Sequence, residues 1–296
     1  MLLRALLVLA IVCFSAPAWA CDMRSSARAI ELTAYVLNGV SCLDSPANGF
    51  RYDEEAEREF ARLVNAERIQ RGLHPLQLRQ ELRSAARFHS LDIGVNGYFG
   101  HESPLGRKHS DRIAAFDRRL LSRYAAENVA KSERTCTNRW GDTVRCRKQN
   151  ETMVAAVLEL HEGLMNSPRH RANILSEDPT HIAIGVARSE DGLYVTQLFV
   201  EPGGTLDRPL PLVMPLGAAL PVQPDVPEWN FKRFALLRDA RPNDFDGPQL
   251  PVDFIGETSL AVRCERLGEP VIEPDRIVQP YEYIYLSGPA FTIGGR

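Results

Sequence analysis

Apolar positions recur at helical spacing in the first two thirds of the chain and at strand spacing near its middle. Residues 53–71 place Ala56, Phe60, Leu63 and Val64 on one helix face. Asp53, Glu54 and Glu55 make an acidic start that suits the positive end of a helix dipole, and Gly72 and Pro75 end the segment. A second helix is predicted over 77–93, with Leu78, Leu82, Ala85, Ala86, His89 and Ile93 on one face. Gly94, Gly97 and Gly100 then break it into a loop that carries His101. Further helices are predicted over 111–119, 151–165 and 170–175, the last opened by Pro168. Residues 182–188 and 194–200 alternate and read as adjacent strands joined by a turn at Glu190-Asp191-Gly192.

The two ends of the chain read differently. Arg4, an apolar run over 6–14 and Ala18-Trp19-Ala20 have the layout of a signal peptide over 1–20, with cleavage before Cys21. That predicts a secreted or periplasmic protein. Trp19 stands where a lipoprotein signal wants a small residue, which argues against lipidation of Cys21. Residues 21–51 read as an N-terminal extension, and 52–202 as the main domain. Fourteen of the 20 prolines lie from Pro202 onward. Residues 206–227 therefore read as an extended linker or arm, followed by short strands at 252–255, 260–264 and 281–286. Residues 203–296 are thus expected to form a Pro-rich linker and a small β appendage.

Composition narrows the class. In the 296-residue chain, 44% of residues are hydrophobic and 25% charged, which fits a globular protein and excludes disordered and collagen-like chains. The net charge of −3 gives no global basic field, so nucleic acid is not an expected partner. Residues 131–148 do carry six cationic side chains against Glu133 and Asp142, a net +4. That stretch is either a solvated loop or a peripheral contact with anionic envelope material.

Cys21, Cys42, Cys136, Cys146 and Cys264 follow the leader, and no pair has zinc-finger spacing. Cys136 and Cys146 flank a turn at Gly141-Asp142 and are expected to pair as a disulfide. A Cys21–Cys42 bridge with Cys264 free is the plainer completion. Cys42–Cys264 is the alternative were Cys21 lipidated.

Several stretches resemble the bacterial branch of the CAP superfamily (SCP-like, cysteine-rich secretory, antigen and pathogenesis-related proteins). They are Leu63-Val64-Asn65-Ala66-Glu67-Arg68, Phe99-Gly100-His101-Glu102-Ser103-Pro104-Leu105-Gly106, and Ala126-Glu127-Asn128-Val129-Ala130. Met165-Asn166-Ser167-Pro168-Arg169-His170-Arg171-Ala172-Asn173-Ile174-Leu175 and the strands holding Ile184-Gly185-Val186-Ala187 and Thr196-Gln197-Leu198-Phe199 complete the series. The resemblance covers residues 52–200. It implies a three-layer α-β-α sandwich, a mixed α+β fold, around an open cavity.

In that family two histidines and one or two glutamates line the cavity. The matching positions here are His101, Glu127 and His170. Some members hold a divalent metal such as zinc on the histidines, which would make His101 and His170 the ligands. The chain departs from the family at Leu164, Arg169 and Ser167, where tryptophan, glycine and the second glutamate are expected. Glu162 and His181 are the candidates for the vacant fourth place.

The residues also speak for themselves. His101 is in a loop, where functional side chains concentrate. Imidazole is the common ligand for zinc, and a carboxylate such as Glu127 can fix its tautomer. His89 and His161 lie on apolar helix faces and read as core histidines. Asn65 and Asn173 read as residues that tie loops together. His161-Glu162 lacks the second histidine of a metalloprotease helix, because Met165 stands there, and no Gly-x-Ser-x-Gly elbow occurs.

The first functional reading is an exported module that binds a lipid, sterol-like or peptide ligand in the cavity or an adjoining apolar groove. The second is a metal-dependent hydrolase of peptide or cell-wall substrates, with Glu127 as orienting group or base. The third is an envelope interaction protein that docks a partner through residues 206–296 while 52–202 fold without them.

Overall fold

A computed structural model describes residues 21, 23, 31–47, 49–133, 135–137, 140, 143–145, 152–238, 241–273 and 275–294. The signal segment and Cys146 lie outside the described residues, as does the Cys136 side chain, and with them the expected Cys136–Cys146 bridge.

Helix α1 (Leu32–Asp44) occupies what the sequence reads only as an extension. Cys42 on its last turn is bonded to Cys21, the plainer of the two pairings, and Cys264 is a buried free thiol. Strand β1 (Arg51–Tyr52) leads to α2 (Glu54–Gln70). The Asp53 side chain caps α2 by accepting from Ala56 N at 3.0 Å, and Glu54, Glu55 and Glu57 fill its acidic first turn. Gln77 and Leu78, predicted as the start of the second helix, instead form β2 (Gln77–Leu78), because they pair in parallel with His181 and Ile182. Helix α3 (Gln80–Asn96) therefore begins later, and Gly97 ends it in the left-handed conformation at φ 69°. Helix α4 (His109–Phe116) stops where the Asp117 carboxylate accepts from Arg119 N and Leu120 N.

Strand β3 (Leu120–Glu133) follows, then the hairpin of β4 (Thr135–Thr137) and β5 (Thr143–Arg145). Helices α5 (Met153–Asn166) and α6 (Pro168–Leu175) precede β6 (His181–Arg188) and β7 (Gly192–Leu206). Alternation sorts the sheet faces. Ile182, Ile184, Val186 and Phe199 pack against α2, α5 and α6, while Ala183, Leu198 and Val200 pack against α3 and α4. Three layers result, as expected. Gly185 sets the spacing of one pair of layers: a Cβ there would stand 2.2 Å from the Ala86 backbone, so only glycine lets α3 lie this close to β6.

The C-terminal strands correct two expectations. Residues 252–255 are not a strand. Instead β8 (Val213–Met214), β9 (Pro224–Asp225), β10 (Asn230–Arg238), β11 (Arg241–Phe245) and β12 (Gly256–Leu267) precede the hairpin of β13 (Val271–Glu273) and β14 (Arg276–Val278), with β15 (Tyr281–Ile293) last. Apart from β13 and β14, which form a two-stranded sheet of their own, these strands also continue the main sheet, in the order β1-β6-β7-β3-β15-β12-β10-β11. Strand β7 runs through residue 203, where the sequence reading ends the main domain. The join is narrow. β3 pairs with β7 along its length but with β15 only at Ser122–Ser287. Beyond Ser122, the edge of β3 that faces away from β7 is free of strand partners among the described residues.

Candidate functional site

That edge of β3 is where the three sequence-predicted residues meet. Side chains at 125, 127 and 129 face the α3–α4 layer, as the packing of Ala125 and Val129 shows. His101 comes from the α3–α4 loop on this side. His170 comes from α6, in the opposite layer. The two rings approach around the strand edge to 6.5 Å between centroids, inclined by 58°. His101 Nδ1 is 2.9 Å from Glu127 Oε1. The Glu127 side chain is buried, whereas that of His101 is 52% exposed.

Glu127 is held from several directions. Arg112 Nη2 donates to its second oxygen at 2.6 Å, and Arg112 also donates to the carbonyls of Arg107 and His101. This is a buried, charge-assisted pair, and the same guanidinium fixes the loop at His101 and at Arg107. Burial pushes the Glu127 carboxyl up, but the His101 hydrogen bond and the charge and hydrogen bond of Arg112 outweigh it, so its pKa lies below the ordinary carboxylate value. The strand backbone is tied as well. Asn173 Nδ2 donates to Glu127 O at 3.1 Å and to Asn128 Oδ1 at 2.9 Å, and Asn128 Nδ2 donates to His170 O at 3.1 Å. Asn65 clamps Leu76 through both its amide groups. Both asparagines tie backbone segments, as their sequence reading has it.

Neither candidate for the fourth place stands beside Glu127. His181 opens β6 with Nδ1 2.8 Å from Thr180 Oγ1, and Arg79 and Glu81 are the charges it feels. Glu162 is exposed on α5, next to His161. The neighbours of Glu127 are Arg112 and two histidines that the sequence reading did not place there. His89 Nε2 lies 3.8 Å from Glu127 Oε1. His109, at the start of α4, bonds the Ala125 backbone and feels the charges of Glu127, Arg112 and His101. His109 and Arg112 both stand in the first turn of α4, directly after the His101 loop, but nothing in their spacing points them at a strand edge.

Burial, then the Arg112 charge, pushes the His89 imidazole down to about 3, so it is neutral in the folded protein at physiological pH. Burial and the neighbouring His101 also hold His170 below its ordinary value. Two imidazoles side by side are thus disfavoured as a doubly charged pair.

The donor set decides what the hollow can hold. Both Glu127 oxygens are committed, one to His101 and one to Arg112, so the carboxylate orients a ring and is not a free ligand. Two imidazoles remain. Among the described residues no group of three or more His, Cys, Asp or Glu is placed to hold a metal ion. The residues present therefore do not fit a catalytic zinc centre, which takes three protein ligands and an open position.

Comparison with known proteins places the sandwich. Residues 61–199 match the model of the cysteine-rich secretory protein family, CAP. The uncharacterised protein YkwD of Bacillus subtilis (strain 168) is 33% identical over 144 residues, which cover 49% of this chain and 46% of that one. The uncharacterised membrane protein YlbC of the same organism is 29% identical over 146 residues, 49% of this chain and 34% of that one. The chain thus spans less than half the length of these curated relatives. An extracellular SCP-domain protein of Bacillus anthracis aligns in structure with a TM-score of 0.39 at 24% identity, covering 50% of this chain and 41% of that one. An outer surface protein of Borrelia burgdorferi aligns with a TM-score of 0.39 at 15% identity, covering 51% of this chain and 98% of that one. Among the described residues no helix is long and apolar enough to cross a membrane. Residues 61–199, which hold the His101, Glu127 and His170 motifs, form a CAP domain, the domain of the cysteine-rich secretory protein family.

Proposed function

We propose that the protein is an exported binding module for a lipid or sterol-like amphiphile, taken up in a groove between α2 and α5. The observation that carries this reading is the groove itself, with a volume of about 750 Å³. Ala56, Met153, Val154 and Val157 give it apolar walls, and Arg58, Glu59 and Arg62 stand along its rim. An apolar body against those walls with a polar end at the rim satisfies both kinds of surface. One turn beyond Val157, His161 is buried with both ring nitrogens lacking a hydrogen-bond partner, 3.9 Å from Glu67 Oε1. The committed Glu127 oxygens make the His101 cluster a fixed polar feature and not the seat of the apolar ligand.

The test is native mass spectrometry and solvent extraction of the purified full chain. A bound lipid-class molecule is expected in the wild type and in His101→Ala, and is lost in Met153→Arg and Val157→Arg. Protein that carries nothing and takes up no added fatty acid or sterol overturns the reading. For export, the mature chain recovered outside the cytoplasm is expected to begin at Cys21. Full-length protein retained in the cytoplasm is the contrary result.

A further inference from the structure

The strands beyond Leu206 enclose a second hollow, distinct from the α2–α5 groove. It measures about 470 Å³ and lies where β3 and β15 part after their single pair at Ser122–Ser287. Both flanking ladders slip at this level. The β3–β7 register shifts around Ser122, and the β12–β15 register shifts between Ser259 and Ala261. Bulges of this kind leave backbone groups without ladder partners and recur beside binding sites. Gly288, which lines the hollow, packs closely on the core beside it: a Cβ there would sit 3.0 Å from Leu260 O and 3.1 Å from Leu121 Cδ2.

One wall comes from the CAP domain, with Ser110 and Ile113 on α4 and Arg123 and Ala125 on β3. The other comes from the C-terminal strands, with Leu237, Glu257, Ser259 and Ser287. The two walls are locked together. Arg107 donates twice to Glu257, at 2.7 and 3.1 Å, and Arg118 Nη1 donates to Ala290 O at 2.6 Å. The cleft also adjoins the histidine cluster. Ala125 lines it, bonds the His109 ring through its backbone, and stands two positions before Glu127 on the same face of β3. Two strand positions span about 7 Å.

We propose that this cleft is a binding subsite for an extended, uncharged peptide, continuing the hollow of His101, Glu127 and His170, so that the C-terminal strands supply one wall of the site. The lining chemistry selects that class. Of its charged groups, Asp117 pairs with Arg79, Glu257 with Arg107 and Arg123 with Glu201, and the Asp111 carboxylate accepts from Lys108 N at the start of α4. What is offered is serine and threonine hydroxyls, bulged backbone, and small apolar patches from Ile113, Leu120 and Leu237. Peptide amides pair with the first two, and a side chain fills the third. Among the described residues no aromatic ring lines the cleft, so they offer a sugar no face to stack on.

The experiment is affinity selection on the full chain with an equimolar library of uncharged random hexapeptides. Ser259→Trp and Leu237→Trp, which fill the cleft from the C-terminal wall, are compared with the wild type. The wild type is expected to enrich related sequences, and both variants to weaken the best peptide at least tenfold while keeping their lipid load. Amide shifts on the unsubstituted chain with that peptide are expected to centre on Ser122–Ala125 and Ser287–Gly288, a readout that does not depend on the variants folding. No enrichment, equal affinity in both folded variants, or shifts centred elsewhere overturns the proposal. So does a response of the same amides to chitotetraose and to no peptide. Loss of lipid binding with peptide binding intact counts against the α2–α5 reading alone.

Discussion

His101 Nδ1 and Glu127 Oε1 stand 2.9 Å apart, a half-exposed imidazole steered by a buried carboxylate whose other oxygen is tied to Arg112 at 2.6 Å. Removing the charge of Glu127 leaves the buried Arg112 guanidinium without its ion partner. Glu127→Gln is expected to destabilise the protein by about 3–5 kcal/mol in urea unfolding. The double variant with Arg112→Met is expected to recover at least about 1 kcal/mol of the summed losses. Additive losses would show that the two side chains act separately.

The pH dependence follows from His89. Its folded pKa, about 3, lies below the ordinary imidazole value of 6.5. The stability it contributes is full above 6.5 and is lost as pH falls toward 3, because unfolding then takes up a proton. Between pH 6 and 4 the wild type is expected to lose up to about 1.4 kcal/mol per pH unit more than His89→Gln. Parallel stability curves for the two proteins would contradict this.

Burial raises the Asp92 pKa, while the hydrogen bonds that Tyr98 Oη and Asn96 Nδ2 donate to its two oxygens, at 2.7 and 2.6 Å, oppose that rise. A raised carboxyl pKa contributes stability at low pH that is lost as pH climbs through it. Asp92→Ala leaves the Tyr98 hydroxyl and the Asn96 amide without this acceptor and is expected to cost about 1–3 kcal/mol at pH 7 in urea unfolding. Carboxyl carbon shifts of Asp92 are expected to show a midpoint above the ordinary aspartate value, and a midpoint at or below it would contradict this.

Truncation tests how far the C-terminal strands belong to the domain. Arg118 donates to the carbonyls of Leu210, Pro211 and Ala290, and Leu121 is buried in the cluster that β10, β12 and β15 complete. Removing residues 207–296 strips those acceptors and exposes that cluster. The fragment is expected to melt at least about 10 °C below the full chain, at roughly 2–4 °C per kcal/mol. Unchanged melting would show that residues 52–202 fold without the extension, as the interaction reading has it.

Much of the sandwich was legible because its signals are local. Asp53 with its acidic turn, Gly97 and Pro168 mark helix ends by capping chemistry acting over three or four residues. The errors lie where distant partners overrule local preference. Gln77 and Leu78 extend because β6 lies beside them, and α1 is anchored by the Cys21 bond and by packing against Phe88 and Phe116. The proline-rich segment read as a loose arm because prolines cannot join a ladder interior. Yet its carbonyls still accept from Arg118 and bind it to the domain.

The sequence alone singled out His101, Glu127 and His170 as candidates, because they stand in ordered motifs whose types and neighbours are fixed by the chain. Tertiary structure decided how they meet. The two histidines arrive from opposite layers around the open edge of β3, and Arg112, His89 and His109 gather at Glu127 from other elements. It also decided that Glu127 has no oxygen to spare and that β15 joins β3 at one residue pair and then leaves a cleft. Those outcomes depend on the register and divergence of strands more than a hundred and fifty residues apart, and no local periodicity records them.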